Sequence, residues 1–137
     1  MSKSVLIVDD SNVVRSIVRI FLETLEGCMV VGEAGDGVEA VVQAQELKPD
    51  LIVIDLAMPR MNGVEAASVI KKMVPQSKIV LFSMYAEEVG KSIKSASGID
   101  AVVSKPEGVG NLIKHLQAFL SEEETGQKVE GPAVTNV

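Results

Sequence analysis

Short apolar runs alternate along the chain with stretches whose apolar residues recur every three or four positions. "VLIVD" (5–9) reads as a strand buried on both faces, because its consecutive apolar side chains leave no face for water. "NVVRSIVRIFLETL" (12–25) reads as a helix with Val14, Ile17, Val18, Phe21 and Leu25 on one face and Ser11 or Asn12 as its cap. "MVVGEA" (29–34) is a second, shorter strand. Asp36 and Glu39 have the spacing of a capping box, with Asp in the Ser/Thr place, and open a helix ending near Leu47, ahead of Pro49. "LIVID" (51–55) is a strand rich in β-branched residues. "MPRMNG" is a loop, and Asn62 and Glu65 repeat the cap-like spacing before a helix through Met73. "KIVLFS" (78–83), a short helix over about 86–97, "AVVSK" (101–105) and an amphipathic helix (108–120) complete the pattern.

Strand and helix in regular alternation predict an α/β fold, a doubly wound, mainly parallel sheet with helices on both sides. The pattern stops after Leu120. "SEEETGQKVEGPAVTNV" (121–137) is polar and reads as a disordered tail or the start of a linker, leaving 1–120 as one domain. At 137 residues and 47% hydrophobic, with few aromatics, the chain can build one sizeable core from Val, Ile, Leu, Ala and Met. Its net charge of −6 argues against direct nucleic-acid binding, which needs clustered Lys and Arg. A single cysteine, Cys28, allows no internal disulfide and suits a reducing cytoplasm. No apolar run is long enough for a bilayer, and "MSKSVLIVDD" reaches carboxylates too soon for a signal peptide, so neither a membrane partner nor export is expected.

In an open parallel sheet, ligands bind outside the carboxyl ends of the strands. Here those ends deliver Asp9 and Asp10 from the first strand, Asp55 from the third, Ser83 from the fourth and Lys105 from the fifth. The second offers only Glu33, Ala34 and Gly35, with less obvious chemistry. Three carboxylates against one ammonium leave excess negative charge that one hard divalent cation neutralises, and Mg²⁺ is typically held by one or two carboxylates, waters and a phosphate oxygen. A cation, a lysine and a hydroxyl suit a phosphoryl group. No GxxxxGK loop is present to bring ATP as a direct donor. Asp55, alone on the central strand, is the best candidate for a carboxylate nucleophile forming an aspartyl phosphate.

"VDDS" (8–11), "DLAMPRMNG" (55–63), "LFS" (81–83) and "SKP" (104–106), in this order and spacing, resemble the receiver domain of two-component response regulators over about residues 4–120. The resemblance implies a flavodoxin-like three-layer sandwich, a five-stranded parallel sheet of order 2-1-3-4-5 with five helices. It implies that Asp55 accepts a phosphoryl group from the phosphohistidine of a sensor histidine kinase or phosphotransfer protein. It assigns Mg²⁺ to Asp10, Asp55 and the backbone carbonyl of Ala57, with Asp9 acting mainly through water. Lys105 would pair with the phosphoryl oxygens, Ser83 would hydrogen-bond to them and start the switch, and Pro106 would follow a cis peptide bond. The helices and strand over about 86–120 would then bind a downstream target, an output domain C-terminal to 121, or a second copy in a phosphorylation-dependent dimer.

The sequence departs from that family at Val102, where an aromatic often acts as a rotamer switch, and at Met84, where a small residue is preferred; Met84 and the following Tyr85 stand where they would limit water's access to an acyl phosphate. Taken singly, the motif residues have plainer readings: Asp9 and Asp10 as helix caps, Ser83 as a loop hydroxyl, Lys105 as a solvated side chain. Arg15 and Arg19 share a helical face that reads as solvated, with kinase docking the alternative. His115 reads as a surface residue, Met58 as packing, and Gly63 and Pro106 as structural. Three rival functions remain. A non-phosphorylated protein-binding module keeps the fold without the chemistry. A Mg²⁺-dependent phosphohydrolase would want a second Asp at position 57, which is Ala. A flavodoxin-like cofactor binder would want aromatics for stacking.

Overall fold

The computed structural model describes residues 2–86 and 98–125, with the backbone alone for 121–125. In chain order the elements are β1 (Lys3–Val8), α1 (Asn12–Leu22), β2 (Cys28–Ala34), α2 (Gly37–Leu47), β3 (Leu51–Ile54), α3 (Gly63–Met73), β4 (Lys78–Ser83), β5 (Ala101–Ser104), a 3-10 turn (Lys105–Glu107) and a last helix (Val109–Thr125). All strand pairs are parallel, in the order β2-β1-β3-β4-β5. The chain reverses its direction of travel across the sheet between β1 and β3, so the crevice of a doubly wound fold opens where those two strands end.

The apolar runs divide by strict alternation. Leu6, Val8, Ile52, Ile54, Ile79 and Leu81 point to one face, where they pack with Ala40 and Ala44 of α2 and Ala66, Ala67 and Ile70 of α3. Val5, Ile7, Leu51, Val53, Val80 and Phe82 point to the other, against Val18 and Leu22 of α1 and Leu112 and Leu116 of the last helix. A period of two in a continuous apolar run therefore gives two cores, one on each side of the sheet. The alanines let α2 and α3 approach closely, and Gly37, at the start of α2, lies so near the Met61 carbonyl that a Cβ there would stand 2.1 Å from its oxygen.

The helix signals resolve as follows. Ser11, not Asn12, caps α1 by accepting the Val14 N–H at 3.2 Å. Asp36 caps α2 through the Glu39 N–H at 2.8 Å, but the Glu39 carboxylate takes the Gly35 N–H at 2.9 Å, so the box is half made. Asn62 and Glu65 form the full reciprocal box on α3. The predicted face of α1 is rotated: Val18 and Leu22 are buried, with Val14 and Leu25 packed beside them, whereas Ile17 is 40% and Phe21 47% exposed. The helix carries two apolar stripes, and the second, with Val13 and Ile20, faces outward.

The last helix runs past Leu120 to Thr125. Apart from Ala86, the predicted helix over about 86–97 lies outside the described residues, as does 126–137. Among the described residues no helix is long and apolar enough to cross a membrane.

Candidate functional site

β1 and β3 each stop one residue before their aspartate, yet the ladder continues for one more bond: the Asp9 N–H donates to the Ala34 carbonyl at 3.0 Å and the Asp55 N–H to the Val8 carbonyl at 2.9 Å. The backbone of both residues is thus held by the sheet while their side chains emerge above its edge. Asp9 and Asp55 are buried at 3% and 7% exposure, and Asp10 is exposed. One carboxylate oxygen from each of the three lies within 4.8 Å of the others. Lys105 reaches over from the end of β5, its ammonium 2.7 Å from Asp9 Oδ2 and 3.3 Å from Asp55 Oδ1. It also stands 6.0 Å from the centre of the Phe82 ring. The second Asp9 oxygen accepts the Ser11 N–H at 2.9 Å.

Burial pushes the Asp55 carboxyl above the ordinary carboxylate range; the Lys105 charge opposes this, the Asp9 charge adds to it, and the balance stays upward. Burial works against the Lys105 ammonium, but the Asp9 hydrogen bond and the charges of Asp55 and Asp9 outweigh it and hold its pKa above the usual lysine value. The site therefore keeps a firmly charged ammonium beside a carboxylate that is uncomfortable as an anion. The donor set is all oxygen, acidic and shared by two adjacent strand ends, which fits a hard cation and not a soft one.

The two remaining predicted contributors sit at the same edge. Ser83 ends β4, whose register sets Leu81 beside Ile54, and pairs with Ser104 on β5. It is fully buried, and its hydroxyl accepts the Tyr85 N–H at 3.0 Å. Met84 and Tyr85 follow it, 59% and 53% exposed, and Ala57 is exposed two residues beyond Asp55.

A family profile described as the response regulator receiver domain matches residues 5–117. The chain belongs to the response regulator receiver family. This receiver is 40% identical over 112 residues to the response regulator protein VraR of Staphylococcus epidermidis, a match covering 82% of this chain and 54% of that protein. The chain thus spans about half the length of the curated relatives it matches. The response regulator domain of Thermotoga maritima CheB has the same fold at a TM-score of 0.80, with 31% identity over 89% of this chain and 96% of that one. The receiver domain of the sensor histidine kinase PA1611 from Pseudomonas aeruginosa, solved with a magnesium ion coordinated in its active site cleft, has a TM-score of 0.76 and 23% identity over 88% and 99% of the two chains.

Two expectations are corrected in this receiver. The Lys105–Pro106 peptide is trans, since no cis peptide occurs among the described residues. Pro106 instead sits in the first positions of the 3-10 turn, where its fixed φ suits the turn and its missing N–H costs nothing. Arg15 is not a solvated side chain. Its Nε donates to Glu33 Oε1 at 2.9 Å, and its two Nη atoms bond the Asp9 carbonyl and Asn12 Oδ1. Arg19 holds the other Glu33 oxygen at 2.8 Å. The available signal was an arginine in the first turns of a helix that begins immediately after the aspartate pair. Val102 is packed against the core rather than free to swing, and Met58 packs there too. His115 is half-buried on the last helix with Nδ1 3.0 Å from the Asn111 carbonyl.

The Arg19 hydrogen bond holds the Glu33 carboxyl below its ordinary value; desolvation opposes it and Arg15 adds to it. A carboxyl depressed in the folded state stabilises the fold above its unfolded pKa, and that contribution is lost as pH falls from the ordinary carboxylate range through the folded value. Glu33→Gln is therefore expected to flatten the acid limb of the stability curve and to cost about 1 kcal/mol near neutrality, the pair being partly exposed. Urea melts between about pH 3 and pH 7 check this; an unchanged acid limb would place the acid sensitivity elsewhere.

Proposed function

We propose that the chain is a phosphorylation-dependent signalling switch that takes a phosphoryl group on Asp55 from a phosphohistidine of a sensor kinase or phosphotransfer protein, with Mg²⁺ as cofactor. The observation that carries this reading is the convergence of Asp9, Asp10 and Asp55 within 4.8 Å, with Lys105 bridging two of them. Asp9, Asp10, Asp55 and the Ala57 carbonyl are the groups that would hold the cation, Asp9 mainly through water. When bound, it supplies Lewis-acid neutralisation of the phosphoryl oxygens.

Asp55 is the nucleophile: one of its oxygens forms the new O–P bond as the donor P–N bond breaks, and the leaving imidazole is left to take a proton from solvent. Its position at the edge, backbone pinned by the Val8 carbonyl, keeps it in line with an incoming group. Lys105 moves from its carboxylate partners toward the phosphoryl oxygens, following the added negative charge. Ser83, whose oxygen accepts the Tyr85 N–H, turns its O–H to donate to one of the same phosphoryl oxygens. That shift pulls on the segment after β4, and through it the surface over about 86–120 where a target would bind. Met84 and Tyr85, exposed beside Ser83, govern water's access to the acyl phosphate.

The test is intact-protein mass spectrometry with acetyl phosphate. A gain of one phosphate in Mg²⁺, lost with a chelator and restored by Mg²⁺ in excess, is the expected result. An unlabelled but folded chain would support the non-phosphorylated binding module instead.

A further inference from the structure

We propose that Arg15 is a positioning residue for the acidic cluster: latched by Glu33, its guanidinium fixes the Asp9–Asp10 peptide and so sets where the Asp10 carboxylate stands relative to Asp9 and Asp55. This rests on the reading of the cluster as a Mg²⁺ site.

Asp9 is secured by several contacts of its own. Its N–H bonds the Ala34 carbonyl, one carboxylate oxygen accepts the Ser11 N–H, and the other pairs with Lys105. Asp10 is exposed, and among the described residues none hydrogen-bonds or pairs with its carboxylate. What orients it is the peptide that carries it. The oxygen of that peptide is the Asp9 carbonyl, and Arg15 donates to it.

The same guanidinium bonds Glu33 on β2 and Asn12 in the first turn of α1. One planar fork, its side chain 16% exposed, thus joins the ends of β1 and β2 to the start of α1. Glu33 is itself braced by Arg19, which also bonds Glu23 at 2.9 Å. A lysine could place one charge there but could not meet three acceptors in fixed directions.

Charge and positioning make opposite demands. A cation beside a divalent-metal site repels the metal, so if Arg15 acted through charge alone, neutralising it would tighten Mg²⁺. If it acts by holding the peptide, neutralising it loosens Mg²⁺. Titration calorimetry of Mg²⁺ into the full chain decides between these.

Arg15→Gln and Arg15→Lys are each expected to raise the Mg²⁺ dissociation constant about tenfold, within the range found for groups that hold metal ligands in place. The Mg²⁺ concentration giving half-maximal labelling by acetyl phosphate should rise by a similar factor. Glu33→Gln should weaken Mg²⁺ in the same direction by less. The double variant Arg15→Gln with Glu33→Gln should bind no worse than Arg15→Gln alone, because Glu33 acts through Arg15. Wild-type binding with Arg15→Gln or Arg15→Lys, tighter binding with Arg15→Gln, or additive losses in the double variant would each overturn the proposal. Should the Arg15 variants fail to fold, Glu33→Gln carries the test, and an unaltered dissociation constant there overturns it as well. A wild-type chain that takes up no Mg²⁺ would instead bring down the site reading and this proposal with it.

Discussion

Asp55→Asn is expected to abolish the one-phosphate mass gain while leaving the fold at least as stable in metal-free buffer. The amide keeps the shape of the carboxyl but has no anionic oxygen to attack phosphorus, so labelling should fall below detection even with Mg²⁺ and acetyl phosphate in excess. The stability half of the expectation comes from the site's electrostatics. Burial, with the Asp9 charge beside it, pushes the Asp55 carboxyl upward more strongly than Lys105 draws it down. Between the ordinary carboxylate pKa and that raised value the folded chain binds more protons than the unfolded chain, so wild-type stability declines as pH rises through that window. A neutral side chain at position 55 removes the decline. Lys105 keeps its 2.7 Å partner Asp9, so the ammonium is not stranded. Denaturant melts on either side of the window, paired with mass spectrometry, check both halves. A mass gain that persists moves the phosphoacceptor to another residue, and a clearly lowered midpoint at neutral pH would mean that the Lys105–Asp55 pairing outweighs the cost of burial.

That one carboxylate is both the proposed acceptor and an anion disfavoured by burial follows from where the sheet places it. The sequence made this legible because the strands are continuous apolar runs that end abruptly in charge. A run such as 51–54 has to be buried on both faces, and only a parallel sheet covered on both sides does that. Its first charged residue then has to lie at the carboxyl edge. The same reasoning applied to "VLIV" and "AVVS" places Asp9, Asp10 and Lys105 at one rim from the sequence alone. The strand order β2-β1-β3-β4-β5 came from the family resemblance, since periodicity says which segments are strands and not which are neighbours.

What stayed hidden was set by orientation and by long-range pairing. Helix α1 has apolar residues on two sides, at 14, 18 and 22 and at 13, 17, 20 and 21, and a period of 3.6 cannot say which stripe meets the sheet. The Arg15–Glu33 pair joins residues far apart in the chain, on a helix and on an edge strand, and only their juxtaposition shows that neither is an ordinary surface charge. Pro106 differs from the family expectation for another reason. An X–Pro bond has two accessible isomers, and the trans one here is accommodated by a turn that begins at Lys105 itself. In each case the local signal was compatible with two arrangements, and tertiary packing chose between them.

Gly63→Ala is expected to be strongly damaging, and Gly110→Ala its harmless counterpart. Gly63 opens α3 directly after the loop that follows Asp55, and its N–H donates to the Leu56 carbonyl at 2.8 Å. A Cβ on Gly63 would lie 2.1 Å from the Asp55 carbonyl oxygen, 2.9 Å from its carbon and 3.1 Å from the Leu56 Cα. All three are backbone atoms, so no flexible side chain can turn aside. Either α3 shifts outward, opening the core that Ala66, Ala67 and Ile70 fill, or the strand end carrying Asp55 moves. The cost should be about 3 kcal/mol, at the upper end of ordinary overpacking. A Cβ on Gly110, in the first turn of the last helix, meets nothing within 4 Å. Alanine there should be neutral or stabilise by about 0.5 kcal/mol through its better helix propensity. Because the atom that Gly63→Ala displaces belongs to Asp55, the proposed phosphoacceptor, the variant should also label more slowly under conditions where it remains folded, whereas Gly110→Ala should label as the wild type does. Urea melts and labelling rates on the two variants side by side give the answer: equal midpoints would mean that the β3–α3 loop yields freely, and that Asp55 is not held by its backbone in the way the packing around Gly63 requires.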